Sequence, residues 1–392
     1  MKHATQTRLI ERSDASCSNS FATWMCRASR ILNHTLLASV LVASPIMAQP
    51  KVVTWKATQL WRVDGSEIGE PFGDVLDFVV LKDGALWALE HQYQIIRRYD
   101  ANGKPLGTVG RKGSGPGEFR NANGMLVTAD GSVWINDHAN SRFTIYNGDG
   151  KFARQLIVPM NGYRFRWLAY FNDTNGELVE ETFGAQSYWR RINASGKIAG
   201  TLATPKCPSG VTAPEYFKSA LPDGSVNKSY PFTRGGGLAP DRKGNAWCAA
   251  TFATRAALIR VGPSDTIART TLEIPNEAFF PSERSAAINE LTSFAASHKP
   301  SEFDAAKVPN AKPGIAALSV DDDGRLWLQH PVSKESRTTD FDVFAANGNH
   351  LFHISIPGRI ASEIVHARGD ALWLLVKDAD DVLSVAKFRI GK

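Results

Sequence analysis

Short apolar segments alternate with tight turns along most of the chain, and six of these turns share one pattern. In each copy, a turn rich in Asp, Asn or Gly is followed, after two further residues, by an apolar residue, usually tryptophan. The copies are DGALW 83–87, DGSVW 130–134, NGELV 175–179, KGNAW 243–247, DGRLW 323–327 and GDALW 369–373. Such turns supply the positive φ of a two-residue hairpin, so the apolar residue falls on the second strand of each hairpin.

The spacing of these copies predicts the fold. Trp87 and Trp134 are 47 residues apart, and Trp327 and Trp373 are 46 apart. A period in the forties built of short strands is typical of a β-propeller blade, so six copies predict an all-β, six-bladed propeller. The predicted blades are 74–110, 121–159, 166–205, 235–275, 314–357 and 360–392. The last blade has only three strands, and Val52–Asp64 is expected to supply its outer strand, which closes the ring.

Two connections between blades are longer than the others. Residues 204–234 are rich in Pro, Gly and Ser with interspersed aromatics, which favours an ordered cover over part of the ring. Between blades 4 and 5, Ser282 can cap a short helix. The apolar positions that follow helical spacing there are Ala287, Ile288, Leu291 and Phe294. This helix is interpreted as an insertion and not as a second domain.

Residues 1–48 do not fit the propeller pattern. Arg27 and Arg30 precede an apolar stretch over 36–46, which is too short to span a bilayer and ends near a small-residue cleavage point after Ala48. The pattern predicts a signal peptide with an extended leader, a propeller over 49–392 and a periplasmic or secreted location. Met25 is an alternative start, an uncleaved anchor is the alternative fate of the leader, and no other segment reaches transmembrane length.

Charge and cysteine content change this picture little. The formal net charge is +6, but the leader carries much of the basic excess, so the predicted mature chain is only mildly basic. Together with export, this argues against nucleic acid as a partner. Cys207 and Cys248 are the two cysteines left in the mature chain, and an oxidising compartment favours a disulfide between them. The alternative is two buried thiols that do not meet.

The junction between blades 1 and 2 resembles an NHL-type repeat. The matching residues are Gly115, Pro116, Gly117, Phe119, Asp130, Gly131, Asp137, Asn140, Arg142 and Gly150. More broadly, the predicted mature chain resembles exported bacterial six-bladed propeller proteins. The resemblance implies the fold, but such propellers include ligand-binding, protein-binding and catalytic members, so it implies no single activity. The polar motif residues are expected to hydrogen-bond within the blade and to its neighbour.

Evidence for catalysis is weak in the sequence. Lyases of the six-bladed class hold zinc on histidines that precede the apolar run of a repeat, and the comparable positions near Leu76, Asn123, Gly236 and Gly314 contain no histidine. His138 and His330, with His91, occupy equivalent loops and are candidate ligand-binding residues whose convergence is left open. There is no G-x-S-x-G elbow and no H-E-x-x-H motif. The sequence therefore assigns no catalytic residue, metal or cofactor.

The loops that join consecutive blades contain more basic than acidic residues. Four arginines stand at blade entries and are the candidate ligand-binding residues: Arg120, Arg166, Arg234 and Arg359. If they converge, they form a cationic channel mouth suited to carboxylate or phosphate groups. The predicted function is a binding module for an anionic small molecule, a glycan or an envelope protein. The alternatives are solvated, neutralised loop arginines, or a lyase or hydrolase at the channel mouth with or without a divalent metal.

Overall fold

The structure is a computed structural model, and it describes most of the chain after the predicted leader. The described residues are 52–392 with gaps at 159–168, 173–174, 183–187, 203–215, 222–223, 230–236, 252–255, 263–265, 273, 299–303 and 334. Residues 51–392 form one compact unit. The predicted signal peptide lies outside the described residues, so it remains a prediction.

Strands account for most of the described secondary structure. The N-terminal strand β1 spans Thr54–Val63. Sheet 1 contains β2 (Val75–Val80), β3 (Leu86–Glu90), β4 (Ile95–Tyr99) and β5 (Pro105–Val109). Sheet 2 contains β6 (Ala122–Val127), β7 (Val133–Asp137), β8 (Arg142–Tyr146) and β9 (Phe152–Ile157). Sheet 3 contains β10 (Ala169–Asn172), β11 (Glu177–Thr182), β12 (Tyr188–Ile192) and β13 (Ile198–Leu202).

The second half of the chain continues the pattern with two insertions. A two-stranded hairpin is formed by β14 (Tyr216–Leu221) and β15 (Gly224–Ser229). Sheet 4 contains β16 (Leu238–Pro240), β17 (Ala246–Thr251), β18 (Ala256–Val261) and β19 (Thr266–Leu272), and the helix α1 (Glu283–His298) follows it. The remaining strands are β20 (Ala317–Val320), β21 (Leu326–Gln329), β22 (Thr338–Phe344), β23 (His350–Pro357), β24 (Arg359–Arg368), β25 (Ala371–Lys377) and β26 (Leu383–Gly391).

The last seven strands and β1 form one eight-stranded sheet, which differs from the six separate blades predicted from the sequence. Its strand order is β20-β21-β22-β23-β1-β26-β25-β24. The two halves are joined because β1 pairs on both edges. It is antiparallel to β26, with Ala57 opposite Ile390. It is parallel to β23, with Thr54 opposite His353 and Trp55 opposite Ile354. We refer to β20–β23 as half-sheet 5 and to β24–β26 with β1 as half-sheet 6.

The expected pairing of the N-terminal segment with the C-terminal strand is therefore observed. β1 runs antiparallel to β26 from Lys56 opposite Gly391 to Val63 opposite Val385. The strand pairing joins the two ends of the described chain and satisfies backbone groups that would otherwise lie at an exposed sheet edge. The arrangement is all-β and propeller-like, with one α-helix among the described residues.

Apolar clusters between successive sheets explain the repeated tryptophan. In four of the five tryptophan copies the ring packs toward the next sheet in the chain, and in the last copy it packs back onto sheet 1. The five are Trp87, Trp134, Trp247, Trp327 and Trp373, and all are buried. Each ring removes a large apolar area from water at an interface between sheets, so the repeat is a packing device.

Sheet 3 uses a different residue for the same purpose. Its copy of the pattern ends at Val179, and Trp189 on the adjacent strand β12 packs with Val179 in the cluster shared with sheet 4. Trp189 lies opposite Glu181, two positions from Val179, so the two side chains project from the same face of the sheet. A neighbouring strand therefore replaces the missing aromatic ring.

The predicted helical insertion is confirmed as α1. Leu291 is buried against Val308, with Ile288 and Phe294 partly buried beside them. The Ser282 carbonyl accepts a hydrogen bond from the Ala286 amide, as expected at a helix start, while its hydroxyl donates to Glu335 at 3.1 Å. Helix α1 also lies next to β14, so the two insertions are neighbours. No helix among the described residues is long and apolar enough to cross a bilayer.

Candidate functional site

The first strand of every sheet and half-sheet contributes to one central cavity of about 380 Å³. The contributing strands are β2, β6, β10, β16, β20 and β24. The residues that line the cavity are mostly apolar, among them Phe78, Val127, Leu318 and Ile364. A cavity of this size, with apolar walls and a few polar groups, is typical of a small-molecule site.

Charged side chains gather where β16, β20 and β24 run into their hairpin turns. Asp322 is 8% exposed there and receives a hydrogen bond from Arg242 at 2.9 Å. Arg368 is 3.4 Å from the same carboxylate and also donates to the carbonyls of Leu81 and Lys82. His366 Nδ1 is 3.8 Å from Asp322, and its Nε2 lies 3.0 Å from the carbonyl of Phe78.

Basic side chains at this end of the cavity surround the carboxylate of Asp322. Burial alone would raise the pKa of Asp322, but contact with His366 and the charges of Arg242 and Arg368 outweigh it and lower that pKa. Asp322 is therefore ionised at neutral pH, and two guanidinium groups share one carboxylate. The Arg242 side chain is 44% exposed, so it can contact a bound molecule.

Most other carboxylates that line the cavity already have partners. Asp77 accepts hydrogen bonds from the amides of Phe78 and Met125. Asp321 is paired with Arg325 at 2.7 Å and accepts a hydrogen bond from the Trp327 indole. Asp241 is paired with Arg260. Glu363 on β24 is exposed, three residues from His366, which corresponds to about 10 Å along a strand.

The arginines expected at the channel mouth are not shown to converge. Arg166 and Arg234 lie outside the described residues. Arg120 is exposed, and its backbone amide donates to Asp137. Arg359 is paired with the carboxylate of Asp381 and donates to the carbonyl of Asp378, so its charge is already neutralised. The cationic ring thus stays a prediction, and Arg359 already has partners of its own.

The histidines also differ from the simplest expectation. His91 lies 3.0 Å from Asn121, and half-buried His138 begins a short 3-10 turn after β7. Among the described residues, the group of potential metal ligands around His330 contains neither of them. His330 instead meets Asp342 and His353 of the same half-sheet, because the pairing of β21, β22 and β23 places these residues on one face.

We call His330, Asp342, His350 and His353 the histidine–aspartate cluster. One oxygen of Asp342 accepts hydrogen bonds from His350 Nε2 at 2.9 Å and His353 Nδ1 at 3.2 Å. The other accepts from His330 Nε2 at 3.0 Å. Burial alone would raise the pKa of Asp342, but these three hydrogen bonds outweigh it and lower it. The hydrogen bond to Asp342 raises the pKa of His353.

The insertion between sheet 4 and half-sheet 5 reaches this cluster. Glu277 Oε1 lies 4.0 Å from His330 Nδ1, and the backbones of Glu277 and Lys312 exchange two hydrogen bonds. Lys312 is buried, with its ammonium group 3.2 Å from Glu283 and above the ring of Phe280. Burial raises the pKa of Glu277. The insertion therefore adds an acidic group beside His330.

The polar residues at the junction between sheets 1 and 2 hydrogen-bond within that junction. Asp137 accepts hydrogen bonds from the amides of Arg120 and Asn121 and from the side chain of Asn140. Arg142 donates to three carbonyls of the loop before β6, those of Ser114, Gly115 and Glu118. These contacts hold the loop between sheets 1 and 2.

The predicted disulfide is only partly within the described residues. Cys248 on β17 is fully buried and disulfide-bonded. Cys207 lies outside the described residues, so its pairing with Cys248 remains a prediction. The connection would hold the insertion of residues 204–234 against sheet 4.

The sequence did not single out Asp342, His350 or His353 as site residues. One signal was available, because His330 stands three residues after Trp327, as Glu90 stands after Trp87 and Asp137 after Trp134. That position has an ionisable side chain in three copies of the repeat, and the strand that follows it carries the partner residue. The spacing His350-Leu-Phe-His353 close to Asp342 was the second signal.

Models of known protein families give no match to the chain, and neither do curated proteins. Solved structures with a similar fold include an inactive variant of virginiamycin B lyase from Staphylococcus aureus with quinupristin, at 14% identity and a TM-score of 0.46, covering 86% of this chain and 99% of that one. A protein from Bacteroides fragilis described as exported has 13% identity and a TM-score of 0.46, with coverages of 87% and 96%.

A PQQ-bound aldose sugar dehydrogenase from Streptomyces coelicolor has 12% identity and a TM-score of 0.41, covering 86% of this chain and 99% of that one. These three proteins differ in what their names say they do. Likeness at such identities and TM-scores does not indicate what this chain binds or whether it is an enzyme.

Proposed function

We propose that this chain is an exported six-bladed β-propeller that binds a small molecule with an apolar body and an acidic group in its central channel. The observation that carries the proposal is the cavity of about 380 Å³, to which six first strands contribute and at one end of which Arg242 and Arg368 share Asp322. The apolar walls would bury the body of the ligand, and the guanidinium groups would pair with its acidic group.

The count of six treats half-sheets 5 and 6 as separate blades. Each has four strands, and the strand pairing that joins the two runs through the edge strand β1, at two parallel residue pairs with β23. Apolar clusters lie between all successive sheets, including half-sheet 6 and sheet 1. Export rests on the leader pattern of residues 1–48.

Binding is favoured over catalysis at this end of the channel. In a paired acid and base the two groups are held in a direct hydrogen bond, whereas His366 Nδ1 lies 3.8 Å from Asp322. The second ring nitrogen of His366 is already directed at the carbonyl of Phe78. These contacts suit side chains that hold a charge in place, which is what recognition of an anion requires.

The test uses two matched series of compounds on the purified protein. Straight-chain and aromatic monocarboxylates of increasing size are compared with the corresponding neutral alcohols by calorimetry at low and high salt. We expect the carboxylates to bind more tightly as their apolar body grows, and to weaken as salt screens the guanidinium charges. Glu363→Gln should strengthen binding, because it removes a like charge from the cavity wall.

The control separates this site from general surface charge. Arg242→Ala with Arg368→Ala should remove the advantage of carboxylate over alcohol, whereas Arg120→Ala should leave it unchanged. Equal binding of carboxylates and alcohols by the wild type would contradict the proposal, and so would full carboxylate binding by the double variant.

A further inference from the structure

We propose that His330, Asp342 and His353 form a site for a divalent metal ion of the zinc class. The site lies on half-sheet 5, on the face that packs toward sheet 4, and is separate from the central channel. It is independent of the proposed ligand in the channel, because none of its residues lines that cavity.

The geometry brings three ligand atoms together. One nitrogen from each histidine and one oxygen from Asp342 all lie within 4.8 Å of one another. His330 directs Nε2 at the carboxylate, and His353 directs Nδ1 at it. A zinc ion bound at about 2.0–2.2 Å from each atom fits among them after small side-chain rotations, with the ion taking the place of the hydrogen-bonding protons.

The donor set selects the kind of metal. Two imidazoles and one carboxylate suit zinc and its neighbours, whereas calcium and magnesium prefer sites built from oxygen atoms alone. Three protein ligands leave a fourth position for water. The side chains of His330 and Asp342 are each 20% exposed and that of His353 is 31% exposed, so an ion can enter from solvent.

Neighbouring groups already orient the three ligands. His350 Nε2 lies 2.9 Å from Asp342 and fixes the plane of its carboxylate. Glu277 Oε1 lies 4.0 Å from the second ring nitrogen of His330, on the side of the ring that faces away from Asp342. A carboxylate behind a metal-binding histidine is a common outer partner in metal sites.

The experiment titrates untagged, chelator-treated protein with Co²⁺ and then with Zn²⁺. We expect one equivalent of Co²⁺ to produce the intense visible absorption of a four-coordinate ion, and one equivalent of Zn²⁺ to displace it. His353→Gln and Asp342→Asn should each weaken Zn²⁺ binding by at least about 100-fold, and His350→Gln by about 10-fold because it acts through Asp342.

A matched control is available in sheet 2. His138 is also a half-buried histidine that follows the second strand of a sheet, so His138→Gln should bind both ions like the wild type. Circular dichroism should show that all variants are folded, and His330→Gln provides a third ligand variant should Asp342→Asn unfold. Unchanged cobalt absorption in the folded His353→Gln or His330→Gln variant would overturn the proposal, as would a wild type that binds no Co²⁺ or Zn²⁺ at micromolar concentrations.

Discussion

The same backbone position carries opposite chemistry in sheet 1 and in half-sheet 5. Glu90 and His330 each stand three residues after the repeated tryptophan, at the end of the second strand. Their partners also correspond. Arg97 comes two residues before the residue that pairs with Leu86, and Asp342 comes two residues before the residue that pairs with Leu326. Sheet 1 thus places the acid on the second strand and the base on the third, and half-sheet 5 reverses them.

In sheet 1 the pair is a structural connection. Arg97 is 2.6 Å from Glu90, and both side chains are almost completely buried. Arg97 also donates to the carbonyls of Gly65 and Glu70, and Glu90 accepts from the amide of Gly73. The polar groups of both side chains are occupied by the pair itself and by the short segment that enters sheet 1, so none remains for a ligand.

In half-sheet 5 the entering segment is the long insertion that contains α1. In sheet 1 the backbone of the entering segment packs on the pair, whereas here the side chain of Glu277 lies beside His330. The histidine–aspartate cluster stays partly exposed. Two more histidines from β23 then reach Asp342. A polar position that holds a short loop in sheet 1 is therefore partly exposed in half-sheet 5, where a longer insertion replaces that loop.

The largest expected effect comes from breaking the pair in sheet 1. Glu90→Gln should lower the free energy of unfolding by about 3 kcal/mol, because it leaves the Arg97 charge buried and uncompensated. Urea unfolding followed by tryptophan fluorescence measures the change. A loss below about 1 kcal/mol would show that the pair does not hold the loop as the comparison requires.

A metal ion bound at half-sheet 5 should stabilise the folded protein. Zinc at one hundred times its dissociation constant should raise the free energy of unfolding by about 2.7 kcal/mol, since it binds the folded state. The gain should be absent in His353→Gln and retained in His138→Gln, with thermal unfolding at several zinc concentrations as the measurement. An equal gain in His353→Gln would place the stabilising ion elsewhere in the protein.

The sequence predicted the sheets well because their signals are local. Turn residues, strand alternation and the repeated tryptophan each act within one hairpin. The pairing of β1 with β26 was also predictable, because a three-stranded last blade leaves an edge that another strand must cover. The joining of two halves into one sheet was not, since it depends on two residue pairs at the edge of β1.

The site was predicted only in part, because it depends on contacts between strands. His330 was a candidate from its loop position, but its partners Asp342 and His353 come from register across β21, β22 and β23. Arg359 was chosen for its place at a blade entry, yet Asp381 of the neighbouring hairpin pairs with it. Position along the chain identifies which residues are polar, whereas pairing between strands decides whether they are free to bind.

The smallest expected effect is the counterpart of Glu90→Gln in half-sheet 5. Metal-free His330→Gln should change the free energy of unfolding by no more than about 1 kcal/mol, because the site is partly exposed and Asp342 keeps its hydrogen bonds to His350 and His353. The same product residue at the same position in two sheets makes the urea measurements directly comparable. If His330→Gln lowers the free energy of unfolding as much as Glu90→Gln does, the cluster is a structural connection like that of sheet 1. The reversal of acid and base would then have no functional meaning.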